Sequence, residues 1–166
     1  MATVLAGKEW KPVQALLALF VSLSLQIAVN YSNDYSDGIR GTDDDRVGPV
    51  RLVASGFASA ATVKRAAQLS FLLACIAGLV LASLSSWWVI LIGLASVLAA
   101  WGYTGGHTPY GYRGFGELSV FTFFGVVATV GTYYVQTLHI TAAAFAASIP
   151  MGSLSCALLD RKSTRL

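Results

Sequence analysis

The sequence AAQLSFLLACIAGLVLASLSSWWVILIGLASVLAAWGY, residues 66–103, decides the fold because it contains no Asp, Glu, Lys or Arg. The uncharged stretch continues to residue 112, and a second one covers residues 118–159. A helix needs about 20 mostly apolar residues to span a bilayer, whereas about a quarter of the residues in a soluble domain are charged. Only 11% of this chain is charged and 55% is hydrophobic. The composition therefore predicts an integral membrane protein and excludes a soluble module that binds nucleic acid or nucleotides.

Apolar segments of nearly bilayer length divide the chain into five predicted spans. They cover residues 12–29, 66–84, 87–103, 118–135 and 138–159. Helix is favoured over strand because none of them alternates apolar and polar residues as a membrane barrel requires. We therefore predict an all-α, polytopic transmembrane helical bundle, with residues 1–166 forming one domain. Only Ser85 and Ser86 separate the second and third spans, which predicts a tight hairpin, and Pro150 should kink the fifth span or lie at a break in it.

Small residues and both cysteines lie within these spans. Cys75 and Cys156 have neither metal-ligand spacing nor a redox motif around them, so buried and unreactive thiols are expected. Glycines in the second to fourth spans are expected to allow the close helix packing that lipid-embedded bundles need. These glycines are Gly78, Gly93, Gly125 and Gly131.

Basic residues predict the orientation of the spans. With five spans, one side of the membrane receives the loop of residues 30–65, the loop of residues 104–116 and the C-terminal tail. That side carries nine of the 11 lysines and arginines, and the opposite side carries only Lys8 and Lys11. Because positive residues accumulate in cytoplasmic loops, the loop of residues 30–65 is expected in the cytoplasm and the protein in the plasma membrane.

The long loop begins with an acidic cluster, NDYSDGIRGTDDD, residues 33–45, which holds five of the eight acidic residues. If the first helix continues past the membrane, four polar residues at positions i, i+3, i+4 and i+7 project from one face. These are Asn30, Asn33, Asp34 and Asp37. Gly38 and Gly41 would then end the helix. Crowded carboxylates at a helix C-terminus repel one another and oppose the helix dipole, so a cation should lie nearby.

Three interpretations of the cluster remain open from the residues alone. It could be a solvated loop offset by neighbouring arginines, a calcium loop, or a magnesium site. The calcium loop is the weakest, because Tyr35 occupies a position that needs an oxygen ligand. Magnesium is typically held by one or two carboxylates with water and substrate phosphates, so Asp34 and Asp37 could bind it while Arg51 and Arg46 take a diphosphate directly. A diphosphate at the surface of an apolar bundle suggests an attached lipid tail.

The motif NDYSDGIRGTD, residues 33–43, resembles the first aspartate-rich motif of the UbiA superfamily of membrane prenyltransferases. In form it is most similar to the 1,4-dihydroxy-2-naphthoate polyprenyltransferases of menaquinone synthesis. The continuation DDRVGPVRLVASG, residues 44–56, resembles the same enzymes, with Arg51 at a basic position before the SG turn. A further resemblance covers YTGGHTPYGYRGFGELSVFTFFG, residues 103–125.

This resemblance implies a helical bundle around a cavity open to lipid, a Mg²⁺ cofactor, and polyprenyl diphosphate and 1,4-dihydroxy-2-naphthoate as substrates. Loss of diphosphate would give an allylic cation, which the naphthoate attacks with loss of CO₂ to form demethylmenaquinone. The candidate metal ligands are Asp34, Asp37 and Asp43, and the candidate diphosphate contacts are Asn33, Arg46 and Arg51. Tyr103 is a further catalytic candidate. It could shield the cation together with Tyr110, Tyr112 and Phe115, although all four could equally form an interfacial aromatic belt.

Some features depart from the family pattern. His107 occupies a position where the superfamily carries lysine, which leaves the basic partner open between Thr108, Arg113 and a lysine elsewhere. His139 is expected to be structural and Glu117 to open the fourth span. The chain has fewer spans than the family and no second aspartate-rich motif, so a fragment is expected. The alternatives to an active enzyme are a fragment without catalytic activity and a non-enzymatic membrane assembly partner that retains half the fold and associates with itself or with a complementary piece.

Overall fold

The computed structural model describes residues 10–41, 50–104 and 115–163, and the regular structure within them is helical. Helix α1 covers Pro12–Arg40 and α2 covers Ala60–Leu84. Helix α3 covers Trp88–Thr104, α4 covers Gly116–Thr137 and α5 covers Ala142–Ser163. All but α3 include a stretch long and apolar enough to cross a membrane, and α3 is a shorter apolar helix. The predicted all-α bundle of apolar helices is confirmed, with four helices of spanning length rather than five.

The segment of residues 30–65, between the first two predicted spans, is helical at both of its ends. Helix α1 continues to Arg40, and Gly41 ends it in the left-handed region with φ 70°, its N–H donating to the Asp37 carbonyl. The continuation of α1 past its apolar part, on which the spacing argument depends, is therefore present. Gly41 ends the helix as expected, whereas Gly38 lies inside it. At the other end, the Ser59 hydroxyl accepts the Thr62 N–H at 3.2 Å and caps α2. The helix thus begins at Ala60, six residues before the predicted start.

The turn between α2 and α3 is as tight as predicted, since α2 ends at Leu84 and α3 begins at Trp88. The Ser85 hydroxyl donates back to the Leu81 carbonyl at 2.5 Å. The Tyr134 hydroxyl of α4 donates to Ser86 Oγ at 3.1 Å, which ties the hairpin to a third helix.

Replacing Tyr134 with Phe should lower the free energy of unfolding by about 1 kcal/mol, because it removes this partly buried hydrogen bond. Unfolding in mixed micelles with increasing SDS would measure the change. Tyr133→Phe, one position earlier on α4, is the matched control. Equal stability of the Tyr134→Phe variant and the unchanged protein would contradict the prediction.

Small side chains form the main contact between α1 and α2. Ala28 of α1 is fully buried, and α2 buries alanines that recur along one face. These are Ala67, Ala74 and Ala77. Farther along, Ala18, Leu81 and Val135 join α1, α2 and α4 in one apolar cluster. Helices approach closely where side chains are small, as expected for packing within lipid.

Helices α4 and α5 approach each other closely through their backbones. A Cβ added at Gly125 would lie 2.5 Å from Gly152 Cα and 3.2 Å from the Ser148 carbonyl oxygen. Gly125 lies in a π-helical stretch, Phe121–Val127, within α4. The α5 helix runs through Pro150 without a break, which excludes one of the two predicted outcomes for that residue. It begins at Ala142, four residues after the predicted start, because Leu138 ends α4 in the left-handed region with φ 56°.

Candidate active site

A cavity of about 520 Å³ lies between the helices, with α1 to α4 supplying most of its wall. Its lining is largely apolar, with scattered polar side chains along its length. Asn30, Asn33, Tyr103 and Ser119 line it at the end of the bundle where α1 and α3 end and α4 begins. The opposite end of the cavity lies nearer the N-terminus of α1. It is lined by the buried cluster around Ala18 and by Tyr134, which donates to the hairpin between α2 and α3. A groove of about 500 Å³ on the outer face of α1 has an entirely apolar lining. The cavity is therefore the candidate site, since it offers both a polar end and an apolar body.

Three glycines widen this cavity. Gly78 of α2, Gly93 of α3 and Gly131 of α4 all line it, and a Cβ added to any of them would meet nothing within 4 Å. The expectation that they serve close helix packing is wrong, and only Gly125 of the four fits it. Cys75 also lines the cavity and is exposed, so the prediction of a buried thiol there is wrong as well. The Cys156 thiol is partly exposed and donates to the Glu117 carbonyl at 3.3 Å.

The polar residues near the end of α1 lie on one side of the helix, as their spacing predicted, but they have different surroundings. Asn30 and Asn33 line the cavity, and the Asn30 amide donates to the Gln26 carbonyl at 2.8 Å. Asp34 is instead buried, with 6% of its surface exposed. Its Oδ2 accepts the Leu52 N–H at 2.9 Å and its Oδ1 accepts the Val53 N–H at 3.0 Å. One helix end thus presents amides to the cavity and a carboxylate to the turn before α2.

Asp37 and Arg51 come together although they are 14 positions apart in the chain. Arg51 Nη2 lies 3.8 Å from Asp37 Oδ2, and the two side chains keep only 15% and 13% of their exposure. This distance exceeds a hydrogen bond, so the pair attracts through charge without a tight contact. The structure therefore joins a predicted metal ligand to a predicted diphosphate contact.

Backbone hydrogen bonds give the turn that carries Arg51 a defined shape. The Ser55 N–H donates to the Arg51 carbonyl at 3.0 Å, and the Ala58 N–H donates to the Leu52 carbonyl at 3.0 Å. Val53 packs directly on Gly38 of α1, where an added Cβ would lie 2.5 Å from Val53 Cγ1 and 2.6 Å from its Cβ. Sequence reasoning missed this contact because it treated Gly38 as a helix terminator. The glycine inside NDYSDG was the signal that a segment packs there.

Some of the other predicted site residues lie in or near the cavity, and the rest lie outside the described residues. Tyr103 lines the cavity, and Phe115 is exposed before α4. Glu117 lies in the first turn of α4, as predicted. Lys64, which sequence reasoning did not single out, places its Nζ 5.4 Å from the ring centroid of Tyr35. Asp43, Arg46, His107, Thr108, Tyr110, Tyr112 and Arg113 lie outside the described residues.

The donor types near the cavity end suit Mg²⁺. Asn33 and Asp37 are one helical turn apart on α1 and supply an amide and a carboxylate oxygen. Within residues 10–41, 50–104 and 115–163, no three His, Cys, Asp or Glu side chains form a metal-binding group. Magnesium fits such a sparse set, because it keeps several waters and shares substrate phosphates.

The sequence matches the UbiA prenyltransferase family over residues 1–164. This chain belongs to the UbiA prenyltransferase family. The match covers nearly the whole chain and agrees with the resemblance carried by residues 33–56 and 103–125.

Relatives of this UbiA-family chain carry one common name. This chain is 55% identical over 160 residues to the 1,4-dihydroxy-2-naphthoate octaprenyltransferase of Mycobacterium tuberculosis H37Rv. The aligned region is 96% of this chain and 54% of that protein. The proteins of that name from Mycobacterium leprae and Escherichia coli K12 are 49% and 35% identical, covering 94% and 95% of this chain and 52% and 53% of their own lengths. The chain spans about half the length of these relatives. No solved structure matches it.

Proposed function

We propose that this chain takes part in transferring a polyprenyl group from its diphosphate to 1,4-dihydroxy-2-naphthoate, with release of diphosphate and CO₂ to give demethylmenaquinol, which air oxidises to demethylmenaquinone. The carrying observation is an apolar cavity whose polar end is lined by Asn33, one helical turn from the Asp37–Arg51 pair. This arrangement matches an amphiphilic substrate, whose charged head would lie at the polar end and whose long apolar tail would lie along the apolar wall. The names of the mycobacterial and enterobacterial relatives support the choice of donor and acceptor.

In this proposal the head of the substrate binds at the α1 end. Arg51, with Arg46 from outside the described residues, would donate to diphosphate oxygens, for which a guanidinium is well suited. Asp37, with Asp43, would hold Mg²⁺, and Asn33, predicted as a diphosphate contact, would supply a further oxygen to the metal. When bound, Mg²⁺ would neutralise charge on the diphosphate and assist its departure. Asp34, which the sequence also predicted as a ligand, already accepts a backbone N–H group with each of its oxygens.

The cavity wall would hold the tail and exclude water from the reacting carbon. Burial of prenyl methylene groups against apolar side chains would contribute to affinity at about 0.8 kcal/mol each. Tyr103, at the polar end, would present π density to the positive charge that develops as diphosphate leaves. The excess of basic residues on one side of the bundle supports placing this end in the cytoplasm and the protein in the plasma membrane.

Turnover by the purified chain in lipid nanodiscs tests the proposal. The assay combines octaprenyl diphosphate, dihydroxynaphthoate and Mg²⁺, and chromatography detects demethylmenaquinone. Ile39→Ala is the control, because Ile39 lies on α1 with 56% of its surface exposed. Product that requires Mg²⁺ would support the proposal. Absence of product with the chain folded would favour the alternative of a non-catalytic assembly partner, and chemical crosslinking would then test self-association.

Gly93→Leu should weaken binding of octaprenyl diphosphate about tenfold, because the new side chain enters the cavity and displaces tail. Excluding two methylene groups costs about 1.6 kcal/mol, which corresponds to about that factor. Binding of inorganic diphosphate should not change. Ala95→Leu adds the same side chain on α3 at an exposed position outside the cavity lining, so it is the matched control. Equal losses in the two variants would argue against a tail in this cavity.

A further inference from the structure

Asp34 has a different environment from the other polar residues of the α1 end. It is more buried than Asp37, and its two oxygens each accept one backbone N–H of the turn before α2. A carboxylate suits two adjacent N–H donors because both of its oxygens accept. An asparagine would present one acceptor and one donor to the same pair. The fit explains why an acid occupies this position without invoking a metal.

The two bound N–H groups follow Arg51 directly in the chain. The Leu52 N–H belongs to the peptide unit that joins Leu52 to Arg51, so its 2.9 Å bond to Asp34 restrains the Arg51 Cα. The Val53 bond restrains the next peptide unit. From this anchored backbone the Arg51 side chain reaches Asp37, which lies three positions after Asp34 on α1.

Gly38 supplies an independent part of the same arrangement. Val53 lies so close to Gly38 that any side chain there would collide with Val53 Cβ, and a β-branched residue cannot turn its Cβ away. The turn can therefore reach the Asp34 carboxylate only because position 38 lacks a Cβ. Gly38 cannot bind a metal or phosphate through a side chain, so it can be changed without touching the proposed chemistry.

We propose that Asp34 is a positioning residue, which anchors the turn at Leu52 and Val53 so that Arg51 is held beside Asp37. The consequence for the diphosphate rests on the proposed function above, whereas the anchoring itself does not. Asp34 then acts through Arg51 and not as a ligand of the metal. The assignment separates the two aspartates of NDYSD into different roles.

Hydrogen exchange of the purified chain, without ligand or metal, tests the anchoring. Asp34→Asn and Gly38→Ala should both speed exchange of the Leu52 and Val53 amide protons. Asparagine turns an N–H donor toward one of the two amides, and the alanine Cβ pushes Val53 away from α1, so both changes loosen the turn. Both should also shift the Nε–Hε NMR signal of Arg51, which is assigned by its loss in Arg51→Lys. Ile39→Ala should leave exchange and signal unchanged. If Asp34→Asn does not fold, Gly38→Ala still tests the anchoring, because alanine favours the α1 helix more than glycine does.

Binding of inorganic diphosphate in EDTA tests the consequence. Asp34→Asn and Gly38→Ala should each weaken it about tenfold, a change of about 1.4 kcal/mol. In a double-mutant cycle, Asp34→Asn should add no further loss once Arg51→Ala is present. A merely destabilising change would add its loss in both backgrounds.

Mn²⁺ binding, followed by its EPR signal, separates positioning from ligation. Unchanged exchange at Leu52 and Val53 in Asp34→Asn would overturn the proposal. So would a loss of Mn²⁺ affinity in Asp34→Asn with metal-free diphosphate binding unaffected, since this would make Asp34 a ligand. If the unchanged protein binds no diphosphate while exchange responds as expected, the proposed function fails at this site and the anchoring role stands.

Discussion

Asp37→Asn is expected to lower prenyl transfer about 100-fold or more. The substitution keeps the shape of the side chain but removes the negative charge proposed to hold Mg²⁺ at the cavity end. Loss of a partner outside the metal's own ligand set already costs up to about 100-fold, so loss of a ligand should cost at least as much. The same change removes the carboxylate that lies 3.8 Å from Arg51.

Two measurements distinguish this effect from misfolding. Initial rates across a range of Mg²⁺ concentrations should show a raised Mg²⁺ requirement in Asp37→Asn. Metal-free binding of inorganic diphosphate should be retained, because Arg51 is still held by its own turn. Ile39→Ala, two positions along α1, should keep the full rate. Removing a partner outside the metal's ligand set costs at least about tenfold, so a rate within about threefold of the unchanged protein would exclude Asp37 from the metal site.

Gly125→Ala is expected to lower the free energy of unfolding by about 3 kcal/mol, the largest effect on stability. The added Cβ would lie 2.5 Å from Gly152 Cα and 2.8 Å from its nitrogen. Both clashing atoms belong to the backbone, so no side chain can rotate to make room and α4 must move away from α5. Overpacking of this kind typically costs about 1–3 kcal/mol, and a backbone clash belongs at the upper end.

The matched control is Gly131→Ala, six positions along the same helix. Its Cβ would meet nothing within 4 Å, so only the helix-propensity gain of about 1 kcal/mol should remain. SDS-induced unfolding of both variants in mixed micelles gives the comparison. The two alanines should change stability in opposite directions. A stabilised Gly125→Ala variant would show that α4 and α5 do not approach as closely as described.

Much of the bundle could be predicted from uncharged length alone. Residues 66–84 and 118–135 fall inside helices of spanning length because a bilayer admits few charges and demands satisfied backbone groups. Helix ends were less predictable. The Ser59 cap and the left-handed Leu138 lie at boundaries that hydropathy does not mark. The spacing argument for the polar residues of α1 depended on its continuing past its apolar part, as it does to Arg40, but the different surroundings of those side chains were not foreseen.

The sequence by itself determined that the protein is an apolar helical bundle of the UbiA family with an acidic cluster at one helix end. Hydropathy and a local motif are properties of short segments, so they can be read without knowing what packs against them. Only the tertiary structure decided that Gly78, Gly93 and Gly131 border a cavity while Gly125 meets another backbone. It also decided that Asp34 bonds to N–H groups 18 and 19 residues away. Backbone donors are the same at every residue other than proline, so no side-chain pattern could have identified those partners.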